Sequence, residues 1–433
     1  MIDSVVNAFR MPDLRAKLAY TIGLLLLFRI IAHVPVPGVD AAQLQNLFNN
    51  NQILGLLNLF SGGALQSFSI AAMGVYPYIT ASIIMQLLMP LIPQLEALSK
   101  EGEMGRNKLN QYTRIMSVPL AFLQGFGQVS LLRQSNVLTN FNLFSASTFL
   151  PSFALLVALT AGSMLLVWIG ELITEYGIGN GISLIIFAGI VARLPQGAEQ
   201  SIVSGSTGSN LLGLAAFLVI GLATVVGIVV VQEGQRRIPV QYAKRIRGTR
   251  MYQGQSTHIP LKVNSAGMIP LIFALSIMIF PGTIASYFQA SSNHLVAGAA
   301  AATVAFFNSQ TSLAYWVVYF LLVVAFTYFY TAITFQQQNL PENLQKNGGF
   351  IPGYRPGKPT ADYLNKVLNR ITLIGALFLG LVAILPFFAR TITNIQTLAV
   401  SSTGLLIVVG VVLDTMKQME AQMLMRNYTG FIR

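Results

Sequence analysis

The side chains that could do chemistry are few and scattered. The sequence has no cysteine, and its three histidines, His33, His258 and His294, share no metal-ligand spacing. Disulfides, thiolate metal sites and a histidine-built metal centre therefore fall away. Gly177, Gly179 and Gly181 form a G-x-G-x-G run, but it joins two apolar segments and follows no strand, so a dinucleotide fingerprint does not fit. Glu171 and Glu175 beside it read as solvated cap residues. Two other kinds of residue stand out. The stretch 235–264 holds Arg236, Arg237, Lys244, Arg245, Arg247, Arg250 and Lys262 and no acid, a surface suited to negative partners. Isoleucines recur one helical turn apart, at Ile79 and Ile83 and again at Ile186 and Ile190; such side chains can exclude water and bind nothing.

Apolar chain carries these residues. Of 433 residues, 54% are hydrophobic and 9% charged, against roughly 25% charged in soluble domains, and the mean hydropathy is +0.64. So few charges cannot cover a soluble globule of this size. A length that would suggest about three soluble domains reads instead as one polytopic membrane domain.

A membrane-spanning helix needs about 20 mostly apolar residues. Ten stretches fit: 18–34, 74–93, 115–132, 150–169, 181–194, 211–231, 266–288, 313–335, 371–389 and 396–413, the fifth being short. Two more, 53–72 and 294–307, are ambiguous, and charge decides them. With the N-terminus inside and ten spans, every lysine and arginine except Arg29, Arg133, Arg193 and Arg390 falls on the inner side. Those four lie near outer ends, Arg29 close enough to snorkel. Counting 53–72 as a span would turn 100–114 and 236–262 outward, and counting 294–307 would flip 346–370. Ten spans divide into five and five, and an odd number per half makes the second run antiparallel to the first. The first apolar run lacks a small-residue cleavage site and ends in Val34-Pro35-Val36-Pro37, so it reads as a span and not as a removable signal. Before it, Ile2, Val5, Val6 and Phe9 beside Arg10, Arg15 and Lys17 form either a surface amphipathic helix or a basic tail.

Several long stretches, in one order from the first span to the last, resemble the SecY family closely. They are LNLFSGGALQSFSI (57–70), PYITASIIMQLL (77–88), KEGEMGRNKLNQYTR (100–114), ITEYGIGNGISLIIFAGIV (173–191), GQRRIPVQYAKR (234–245), QSTHIPLKVNSAGMIP (255–270), GFIPGYRPGKPT (349–360) and STGLLIVVGVVLDT (402–415). The outer loops 136–148 and 201–210 show little resemblance. The resemblance implies an all-α polytopic membrane protein of ten transmembrane helices, in two inverted five-helix halves closing as a clamshell around an hourglass pore. Unfolded polypeptide would cross the membrane there or leave sideways into lipid, with no catalytic site, cofactor or metal. The division that follows is a cytoplasmic segment 1–17, a first half 18–194, an outer hinge 195–210, a second half 211–413 with cytoplasmic loops 232–265 and 336–370, and a cytoplasmic tail 414–433. The membrane would be a prokaryotic plasma (inner) membrane, with a thylakoid membrane also open, and both termini cytoplasmic.

Roles for residues come from the same resemblance. Stretch 53–72 carries Asn58, Ser61, Gly62 and Gly63 at its centre, which suits a half-helix and turn better than a span. Read bare, it is an outer or re-entrant loop. The family makes it a plug, with Asn58, Leu59, Phe60, Ser61, Gly62, Gly63, Ala64 and Leu65 at its core. Ile79, Ile83, Ile186, Ile190, Ile272 and Ile407 match a pore ring, although isoleucines at such spacing also serve as ordinary helix packing. Alternation around 238–242 with a turn at Gly248-Thr249 suggests a β-like projection. Arg236, Arg237, Lys244, Arg245, Arg247 and Arg250 would dock the SecA motor or the ribosome, and attraction to anionic lipid is the other reading. Arg355 stands at the tip of a loop stiffened by Pro352, Gly353, Pro356 and Gly357, and would serve SecA-driven export. Gln86 would line a lateral gate between spans 2/3 and 7/8, or simply pack. The implied partners are SecE and SecG in a heterotrimer, SecA, the ribosome, signal peptides and nascent chains, and membrane lipids.

Two other functions meet obstacles. An ion-coupled transporter commonly carries an acid or histidine within its spans, and no acidic residue lies mid-span here. A serine protease would need Ser183 and His33 within hydrogen-bond reach, but the one begins an inner-side span and the other ends an outer-side one.

Overall fold

The computed structural model describes residues 11–36, 39, 43–44, 58, 61–134, 137–138, 148–192, 211–242, 245–247, 250–252, 256–289, 293–308, 312–338, 340–393 and 399–429. The first half consists of α1 (Pro12–Ile31), α2 (Tyr76–Leu88), α3 (Pro93–Lys100), α4 (Glu103–Gln134), α5 (Phe149–Tyr176) and α6 (Gly181–Val191). The second comprises α7 (Leu211–Glu233), α8 (Ile269–Phe288), α9 (His294–Asn308), α10 (Leu313–Gln338), α11 (Leu340–Lys346), α12 (Lys358–Thr393) and α13 (Ala399–Thr429). Prolines open α1, α2, α3 and α8, where the missing amide has no helical partner to lose.

Among the described residues, Phe149–Tyr176, Leu313–Lys346 and Lys358–Leu385 are long and apolar enough to cross a membrane by themselves. A fourth span exists if α2 and α3, bent by 105° at their break, count as one. The helices α1 and α4 cover expected spans too, but both run on into charged ends: Asp13, Arg15, Lys17 and Arg29 in α1, and Glu103, Arg106, Lys108, Arg114 and Arg133 in α4. Gly181–Val191, Val219–Glu233 and Ile269–Gly282 are apolar but shorter. Helix α9 has 15 residues, roughly 22 Å, which falls short of the ~30 Å hydrocarbon core.

Contacts sort the helices into two groups. In the first, α1 touches α5 and α6, α2 touches α4, and α5 touches both α4 and α6. In the second, α8, α10, α12 and α13 pack in sequence, with α7 against α12 and α13. The groups meet along two seams, α6 with α13 and α8 with α2 and α4.

Outside the bundle, β1 (Gln235–Tyr242) pairs antiparallel with β4 (Ser256–Lys262), Ile238 opposite Ile259. The other edge of β1 takes β5 (Gly349–Phe350), Gln241 opposite Phe350. Between β1 and β4, β2 (Arg245–Arg247) pairs with β3 (Arg250–Tyr252) as a hairpin. Its turn at Gly248-Thr249 lies outside the described residues. Successive strand side chains point to opposite faces. Ile238 and Val240 are buried in a cluster with Leu261, Leu344, Ile351, Leu364, Val367 and Leu368, while Arg237 and Gln241 face outward.

Candidate functional site

The isoleucines singled out by spacing lie on α2, α6, α8 and α13, helices that take part in the contacts between the two groups. Ile79 and Ile83 on α2, Ile186 and Ile190 on α6, and Ile407 on α13 are each at most 6% exposed and belong to one apolar cluster. Ile272 on α8 is partly buried and packs against it. The cluster also takes in Leu65, Phe68, Ala71 and Ala72 from the segment before α2. A zone lined this way offers no hydrogen bond to water and is dry when narrow.

The segment from Ser61 to Val75 fills the space beside it with a series of turns, and Asn58 is helical. Leu59 and Phe60 lie outside the described residues. The Ser61 hydroxyl donates to the Asn58 carbonyl at 3.1 Å, and the Asn58 Oδ1 accepts from the Gln66 amide at 3.1 Å. Gly62 and Gly63 have φ of +67° and +90°, conformations that glycine adopts without strain. Space limits it too: a Cβ on Gly62 would strike the Phe28 ring, and a Cβ on the facing Gly189 of α6 would strike the Gly62 Cα. Ala64 and Leu65 are buried.

This segment is tied to the end of α1. The Pro35–Ser69 bridge, Val36 N–H to the Phe68 carbonyl at 3.0 Å and Ile70 N–H to the Val34 carbonyl at 3.2 Å form a short ladder. Arg29, expected to snorkel, instead donates from Nη1 to the Gly62 carbonyl at 2.9 Å. The guanidinium thereby satisfies a carbonyl at the first turn of the 61–75 segment, which no spacing in the sequence could announce. Gly177-x-Gly179-x-Gly181 also finds a structural use: Gly179 has φ +91°, and a Cβ at Gly181 would collide with the Gly170 carbonyl. Glu171 is paired with Arg114 at 2.7 Å.

Gln86 on α2 is partly buried; its Nε2 donates to the Ser82 Oγ at 3.3 Å, and its Oε1 has no partner among the described residues. Outside the bundle, Arg236 and Arg237 are exposed on β1, and Arg245, Arg247 and Arg250 lie on the β2–β3 hairpin. Lys244 lies outside the described residues. Arg355 is exposed after a turn with Gly353 at φ +88°, its carbonyl accepting from the Thr360 hydroxyl at 2.7 Å. Neighbouring Tyr354 stacks on Tyr363, ring centroids 4.1 Å apart. The two basic loops, separate in the sequence, are thus parts of one sheet through β5. Lys417 pairs with Glu233 at 2.7 Å, joining α13 to α7. Burial pushes the nearby Asp414 carboxyl up, against the pull of Lys262 and Lys417 and with a further push from Glu233. Among the described residues no group of histidine and acidic side chains could hold a metal.

Comparison with known proteins agrees with this geometry. The SecY family model matches residues 69–416. The protein translocase subunit SecY of Halalkalibacterium halodurans is 47% identical over 449 residues, and that of Streptomyces scabiei 43% over 442, each covering 100% of both chains. A solved protein-conducting channel superposes with a TM-score of 0.61 at 19% identity, over 94% of this chain and 91% of that one. Sec61 from a canine ribosome–channel complex superposes with a TM-score of 0.60 at 19% identity, over the same shares.

Proposed function

The chain belongs to the SecY family, and from that membership we infer that it is the channel subunit of a protein translocase. It passes unfolded secretory polypeptides across the membrane and releases membrane-protein segments sideways into lipid. The observation that carries the reading is the junction of the two helix groups. Branched apolar side chains of α2, α6, α8 and α13 share one apolar cluster with part of a chain segment that touches α6 at Gly62 and Gly189. A ring of this kind holds back ions while giving a passing chain nothing to bind.

Ten spans form two inverted halves, both termini are cytoplasmic, and the membrane is a prokaryotic plasma membrane. The chain is not an enzyme; motion of the substrate comes from SecA and ATP or from a translating ribosome. SecA and the ribosome dock on Arg236, Arg237, Lys244, Arg245, Arg247, Arg250 and Arg355. That a related Sec61 complex is ribosome-bound supports the second of these partners. SecE and SecG complete the complex, SecE bracing the side opposite the gate between α2 and α4 on one side and α8 and α10 on the other. Gln86 and the 58–65 segment act as gate and plug.

Reconstitution tests this directly. Proteoliposomes containing this chain with SecE and SecG should protect a secretory precursor from added protease when SecA and ATP are present. The expected outcome is protection lost on omitting ATP. Equal protection without this chain would remove it from the pathway.

A further inference from the structure

We propose that the cavity between β1 and the start of α12 binds the phosphate of an anionic phospholipid in the inner leaflet. The cavity holds about 230 Å³. Arg236, Lys366 and Arg370 supply its charge, the stacked Tyr354 and Tyr363 form one wall, and Val367 and Ile371 contribute apolar surface. No acidic residue lines it, and among the described residues none of the three cations has an ion-pair partner.

Both elements bring these groups to the rim of the cavity. Arg236 shares the strand face of Ile238 and Val240, which are buried against α12, whereas Arg237 points the other way. Lys366 and Arg370 are one turn apart on the exposed face of α12. That face continues through Ile374, 63% exposed, Leu377 and Leu381, 57% exposed. The stripe therefore changes from two cations to bare aliphatic surface where α12 enters its membrane span. A phosphate in the cavity would have its acyl chains lying directly along that surface. Guanidinium and ammonium donors form charge-assisted bonds to phosphate oxygens, and an inner-leaflet headgroup is the anion held at this depth. A soluble phosphate would use the same cations but leave the aliphatic stripe without purpose.

The proposal rests on the inner-side placement of these loops but is read out by lipid binding, independently of export. Native mass spectrometry of the purified complex would count phosphatidylglycerol molecules retained on titration. The double variant Lys366→Gln/Arg370→Gln should lose one tightly held phosphatidylglycerol, with affinity for it falling roughly tenfold or more. Lys346→Gln/Lys358→Gln, with the same charge change outside the cavity, should retain it. Phosphatidylcholine should not occupy the site in any form. If the double variant fails to assemble, Lys366→Gln alone gives the same reading with a smaller loss. Equal retention by the cavity and control variants would overturn the proposal, as would equal uptake of phosphatidylcholine. Displacement of the lipid by millimolar inorganic phosphate would assign the site to soluble phosphate. Unchanged lipid retention with weakened ribosome binding would assign it to RNA.

Discussion

A single methyl on Gly189 would sit on the Cα of Gly62, so α6 and the 61–75 segment approach here at a distance that glycine at 189 permits. Gly189→Ala should therefore cost about 1–3 kcal/mol through overpacking. It should also unseat the segment, giving a lower midpoint of thermal unfolding and a raised resting conductance in the same purified protein. A variant with both values unchanged would mean that the contact carries no closure. Arg355 is the opposite kind of residue: exposed, and held by backbone turns more than by contacts of its side chain. Arg355→Glu should leave folding and insertion intact while SecA-dependent export falls at least about tenfold, since a reversed charge repels an acidic partner. Normal export at normal expression would take Arg355 out of the mechanism. The sequence made Arg355 conspicuous through its Pro and Gly neighbours. It could not reveal the Gly62–Gly189 contact or the Arg29 bond, because each joins residues whose meeting depends on how whole helices pack.

At the scale of elements, alternation of apolar and polar residues announced β1, and Ile238 and Val240 do face inward. Nothing announced β5, since two residues carry no period, yet β5 is what couples the two inner loops. Val240 is 1% exposed beneath that sheet. Val240→Asp would bury a carboxylate with no partner, costing several kcal/mol. It should free both loops at once, so limited proteolysis would cut near residues 240–260 and 345–357, with SecA and ribosome binding lost together. Cleavage confined to one loop would show that they fold separately. The spans show the reverse balance. Apolar runs marked the helices, but the hydrocarbon thickness is a property of the membrane, so short helices such as α6 and α9 are told apart only by the charge of their flanks.

Across the whole molecule, two helix groups meet at α6–α13 and at α8 with α2 and α4, and the isoleucines belong to those four elements α2, α6, α8 and α13. Family resemblance selected those isoleucines from many at helical spacing; periodicity alone would have left them as packing. A channel needs a seal at rest, and this junction is where we propose it lies. Resting ion conductance in planar bilayers tests it most directly. Replacing Ile79, Ile83, Ile186, Ile190 and Ile407 with Ser keeps the side chains small but gives water hydroxyls to hold in the gap. Leu159→Ser and Ile169→Ser, equally buried but on α5, which supplies none of those isoleucines, control for lost packing. The account predicts a resting leak from the isoleucine variants and little from the α5 variants. Equal conductance from both sets would contradict it and make these isoleucines ordinary helix packing.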